Sequence, residues 1–202
     1  MRFVLSLLIL FTLNSLQAQS KKELTKSLQR DLADYRKYTL ALNFDSSFQF
    51  MSPRMFDIVP LDSLKATMLQ SMDNEYMKIE LTGMEFTDLK KLKIKQAGNY
   101  YWAMVPYNGS MRMELKGDEA FTKMLIPIMK SQFGSENVKM EGASTMNLSL
   151  KNKNVIAVKE PGAPKWYMLE DKRKEKGGGT EMQQMIYETV IPEEVRKAIE
   201  KA

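Results

Sequence analysis

The residues from Asn99 to Leu115, NYYWAMVPYNGSMRMEL, leave few folds open to this chain. Tyr101, Ala103, Val105, Tyr107, Met111, Met113 and Leu115 recur at period two on one face, broken only by Gly109. The alternate positions begin apolar, with Tyr100, Trp102 and Met104, and end polar, with Asn108, Ser110, Arg112 and Glu114. Such a strand is buried on both faces in its first half and on one face in its second. Straight, it would run about 55 Å at roughly 3.3 Å per residue, against a radius of gyration of about 16 Å for a chain of this size. It must therefore bend or turn. Pro106 has no amide to donate and Gly109 no side chain to pack, which places a bend between them and curves the sheet. Asn108-Gly109 is equally a two-residue hairpin signal. A hairpin there pairs Trp102 with Leu115 and Met104 with Met113, but sets Val105 against Arg112 and Ala103 against Glu114. The bent strand is the preferred reading.

Residues 1–18 read as a secretory signal peptide: Arg2, an apolar run from Phe3 to Leu13, and Ala18 before Gln19. The run is too short to span a bilayer, and no later stretch approaches the roughly 20 apolar residues required. Localisation is therefore expected to be periplasmic or extracellular in a diderm bacterium, with no integral membrane segment. Removal of 18 of 202 residues leaves 184, enough for one packed domain, and lowers the net charge from +5 to +4 with Arg2. Both signs are spread along the chain, whereas a nucleic-acid binder would cluster its cations. An exported chain with no Cys must be held together by packing. The absence of His and Cys also removes His-based triads, thiol nucleophiles and the usual zinc ligand sets. Gly177 to Gly179 lack the flanking pattern of a phosphate loop, so no cofactor is expected.

In order, Ser20 and Glu23 form a capping box, and Leu24, Leu28, Leu32, Tyr35, Thr39 and Leu42 follow at helical spacing, predicting a helix to about Asn43. Short turns around Pro53 lead to a second helix from Leu61 to Met72, with Leu61, Leu64, Met68 and Met72 on one stripe. From Tyr76 the period becomes two. Its phase slips at Gly83, where a bulge is expected, and Leu92 and Ile94 extend the strand. Asp118 caps a helix to Gly134 whose interior Pro127 predicts a kink or two half-helices. Strands follow at Val138–Glu141, Thr145–Lys151, Val155–Glu160 and Lys165–Glu170, separated by turns at Gly142, Asn152–Asn154 and Pro161–Pro164. Residues 172–180 read as a flexible linker between an α+β domain, 19–171, and a C-terminal helical segment, 181–202.

Helices first, then a long bent antiparallel meander, predict N-terminal helices packed in the concavity of a strongly curved, cone-like sheet. An extra helix is inserted between strands and short helices close the chain. With Ser52–Pro60 (SPRMFDIVP), Ser131–Val138 (SQFGSENV) and Ile191–Arg196 (IPEEVR), the chain resembles secreted, mostly uncharacterised bacterial members of the nuclear transport factor 2-like, cystatin-like α+β superfamily. The resemblance implies a pocket between sheet and N-terminal helices. The superfamily includes isomerases, dehydratases, hydrolases and many binding proteins, so the fold assigns no activity.

The pocket candidates are Tyr35, Tyr38, Asp45, Tyr101, Met104, Tyr107 and Trp166. Asp57 is a further carboxylate candidate, although Asp45 also suits a helix cap and the tyrosines suit a wet-edged core. Methionine is frequent, 17 residues including Met1; Met111 with Met113, or Met182 with Met185, could ligate a cuprous ion, but a pliable core is the preferred reading. Two functions follow: an exported, non-catalytic module holding an apolar small ligand or partner segment, and an isomerase- or hydrolase-type enzyme using a pocket carboxylate and tyrosine. Finally, Met124, Leu125, Ile126, Ile128 and Met129 cover more of their helix than one packed face requires. They suggest a lid or homodimer contact, or burial against the C-terminal helices.

Overall fold

A computed structural model describes residues 20–173 and 181–201; the expected signal segment with its cut before Gln19, and residues 174–180 of the expected linker, lie outside them. The described elements are α1 (Lys21–Leu40), α2 (Phe44–Ser47), α3 (Arg54–Ile58), α4 (Leu61–Met72), β1 (Met77–Phe86), β2 (Lys95–Ala97), β3 (Tyr100–Leu115), α5 (Glu119–Phe133), β4 (Val138–Glu141), β5 (Thr145–Lys159), β6 (Tyr167–Glu170), α6 (Glu181–Val190) and α7 (Glu193–Glu200). The strands form one open antiparallel sheet in the order β1-β3-β5-β4, with β2 paired to β3 and β6 to β5. The fold is α+β.

β3 is one strand, and the hairpin is excluded by its register. Met104 faces Ile156 and Met113 faces Met146, both on β5, while β1 pairs from Met77 against Leu115 to Phe86 against Tyr107. Two long neighbours satisfy the backbone on both sides, which a hairpin folded on itself could not match. The register slips twice. β1 bulges between Leu81 and Gly83, where a side chain on Gly83 would meet Ser110 Oγ at 2.6 Å. β5 carries an extra residue between Leu150 and Lys153 opposite Asn108: Asn152 adopts φ 55°, and its N–H donates to Asn108 Oδ1 at 3.1 Å.

That second bulge corrects the expected turn at Asn152–Asn154. An Asn tolerates the left-handed conformation, so the strand bends and continues instead of reversing. Leu92 and Ile94 also depart from expectation. Asp88, at φ 54°, turns the chain into a short 3-10 segment, and both residues reach the core from a connection. Around Pro127, α5 is one helix, not two.

Burial follows the alternation of β3. On the odd face, Leu24, Leu28 and Leu32 of α1 pack with Ala103, Val105, Tyr107, Val155 and Ala157. Further along, Met113 and Leu115 pack with Met146, Leu148 and Met129 of α5. On the even face, Trp102, Ile156 and Val158 are covered by Tyr187, Val190, Ile191, Val195 and Ile199 from the C-terminal helices and the turn between them. Of the even positions in the second half of β3, Asn108, Arg112 and Glu114 are exposed and Ser110 is half-buried. The C-terminal segment thus completes a core layer of the sheet.

A methionine-lined candidate ligand cleft

Five of the expected pocket residues converge, but they fill their layer. Trp166 is wholly buried; its backbone N–H donates to Asp31 Oδ2 at 2.9 Å and its indole N–H to Ser27 Oγ at 3.0 Å. Tyr35 and Tyr38 set their rings 6.0 and 6.4 Å from Phe50, itself fully buried. Tyr101 packs on the same cluster, and Tyr107 is buried there with its ring against Phe86. Met104 belongs to the opposite face, and Asp45 is exposed and paired with Lys65 at 2.7 Å. Asp57 is also exposed.

Beside this layer, where α3, α4, β6 and α6 meet, an open cleft of about 380 Å³ is walled by Met51, Met55, Met68 and Met168 with Ile186 and Val190. Local sequence builds each wall. Pro53 and Pro60 start α3 and α4 with φ already near helical values, putting Met55 and Met68 on inward stripes. Period two on β6 sends Met168 and Glu170 to the same side. Tyr35, the one expected pocket residue on this cleft, lines it with Tyr187.

Glu170, Lys172 and Arg173 supply the charges. The Tyr107 hydroxyl donates to Glu170 Oε1 at 2.7 Å, and Lys172 Nζ lies 3.4 Å from Glu170 Oε2. Arg173 grips Asp171 with two hydrogen bonds of 2.7 and 2.9 Å and sits 5.0 Å above the Tyr187 ring. The hydrogen bond to Asp171 holds the guanidinium above its ordinary value. Burial, reinforced by Glu170, pushes the Tyr35 hydroxyl up to about 12. Burial likewise raises Tyr187, against the nearby Arg173. Ser52 Oγ and the Tyr187 hydroxyl are buried with no hydrogen-bond partner among the described residues.

Sequence reasoning missed Glu170 and the methionine wall. The methionines come from α3, α4, β6 and the connection before α3, and their meeting is not encoded in any local spacing. The high methionine count was the available signal.

On α5, Met129 is buried against β4 and β5, Leu125 and Ile126 are half-buried there, and Met124 and Ile128 are exposed. Among the described residues, no three Asp or Glu side chains gather as a metal site, and no helix is long and apolar enough to cross a membrane. In comparison with known proteins, no family model matches the chain and no curated protein matches it.

Proposed function

We propose that this chain is an exported, non-catalytic binding module that holds one apolar small ligand in the methionine-lined cleft. The observation that carries the reading is four thioether side chains, three from α3, α4 and β6 and one from the connection before α3, lining one open cavity. Unbranched, polarisable methionine adapts to ligands of varied outline where branched side chains would not. The charged mouth is already neutralised within itself, by Lys172 on Glu170 and Arg173 on Asp171, which favours an uncharged ligand over an ion. Export after cleavage at Ala18, kinship with the nuclear transport factor 2-like superfamily, and curvature of the sheet round its N-terminal helices belong to the same proposal. The helix-first order and the α1-covered sheet face support it.

The neutral dye N-phenyl-1-naphthylamine should brighten on the folded protein at one equivalent. Met68→Lys, on the half-buried wall of α4, should weaken it about tenfold while leaving the unfolding midpoint in place. Dye binding seen only in partly denatured protein overturns the reading.

A second reading, an isomerase or hydrolase, rests on Glu170 lining the cleft with Tyr35 while accepting from the Tyr107 hydroxyl. Its mark would be proton exchange at the α-carbon of a bound ketone, abolished by Glu170→Gln with binding retained.

A further inference from the structure

A second cleft, about 600 Å³, lies between the lysine-bearing segment leading into β2 and the end of α7, and meets the methionine-lined cleft at Arg173. Its floor is apolar, made by Leu92, Met104, Pro106 and Ile199. Trp102 lines it, only 2% exposed, and the indole N–H has no acceptor among the described residues. A buried donor without a partner costs free energy that an arriving acceptor recovers.

The charges around this cleft sort into those held in an ion pair and those without one among the described residues. Lys91 is held by Asp88 at 2.8 Å, and Arg173 by Asp171 at 2.7 Å. Lys95, directly across the strand pair from Trp102, sets its ammonium 5.0 Å over the indole ring. Among the described residues, Lys93 and Lys95 thus line the cleft without an ion pair, Lys95 over the indole, while Glu200 on the far wall acts on Arg173. A polyanion would meet Glu200 with its surplus charge; a single negative head would reach the lysines and Trp102 and lay its body on the apolar floor.

We propose that this cleft binds an organic monoanion with a compact apolar body, its charged head received by Lys93, Lys95 and the Trp102 indole N–H. Lys95 covers the indole face, so the head approaches the ring at its N–H edge.

The chain has two indoles, which makes the test direct. Trp166 Nε1 is already bonded to Ser27 on the other face, so in protein carrying ¹⁵N-labelled tryptophan only the Trp102 indole signal should move. Titration with 1-naphthoate should shift that signal saturably, while neutral 1-naphthalenemethanol should not. Lys93→Gln with Lys95→Gln, both exposed, should weaken naphthoate about tenfold without changing the fold. Met68→Lys should leave the shift intact, which separates this cleft from the methionine-lined one. Equal movement with the neutral probe, movement of both indole signals, tighter binding of tripolyphosphate, or undiminished affinity in the double variant overturns the proposal.

Discussion

At Asp31 a carboxylate only 1% exposed holds two parts of the chain together. One oxygen accepts from the Trp166 backbone N–H, and the other from Arg30, whose guanidinium reaches solvent. Asp31→Ala leaves that N–H buried and unpaired, so we expect a loss of about 2–3 kcal/mol. Asp31→Asn, which keeps an acceptor, should cost less; urea denaturation of both variants measures the difference. Tyr35 carries a pH signature. Its hydroxyl stands at about 12 in the folded state against 10 unfolded, because burial disfavours the phenolate. The folded protein therefore holds its proton where the unfolded chain releases it, and stability is lost as pH rises from 10 to 12. Relative to Tyr35→Phe, which cannot ionise, the wild type should lose about 2 kcal/mol across that window. Thermal unfolding of both proteins at pH 9 and 11.5 measures it.

Helix α5 shows how an element can be locally unfavourable and still form. Pro127 removes one intrahelical hydrogen bond, yet the Asp118 side chain caps the start by accepting from Phe121 N–H at 2.8 Å, and Met129 is buried against β4 and β5. Tertiary burial outweighs the local cost. Pro127 is exposed, so Pro127→Ala should raise stability by about 1–3 kcal/mol and the helical signal in circular dichroism with it. Met129→Lys should cost about 3 kcal/mol by burying a charge, whereas Met124→Lys with Ile128→Lys should stay within about 0.5 kcal/mol each. An equal loss in both would mean that Met124 and Ile128 are covered in solution.

The whole molecule is a sheet clad on two faces, and its two tryptophans report one face each. Trp166 lies in the α1 layer and Trp102 under the C-terminal helices. Leu28→Ala and Ile191→Ala, from opposite layers, should each cost about 2–4 kcal/mol. Because both layers share β3 and β5, both indole signals should move to the same lowered midpoint in each variant. If Ile191→Ala shifted the Trp102 signal alone, the C-terminal helices would be a separately folding layer.

Local chemistry determined much of this chain. The Ser20–Glu23 capping box, α4 from Leu61 to Met72, the bulge beside Gly83 and the alternation of β3 were all legible, because each depends on neighbours a few residues apart. What the alternation meant was not. That the odd face meets α1 and then α5, while the even face is covered only in its first half, depends on residues far along the chain. The same distance hid the sites. Tyr35, Tyr101, Tyr107 and Trp166 are aromatic on inward faces, which sequence reveals, but whether such a face encloses a cavity or is filled depends on Leu24, Leu28, Leu32 and Phe50 arriving there. Methionines from α3, α4 and β6 meet only because the sheet seats those elements side by side. Cavities are what packing leaves over, and packing is decided in three dimensions.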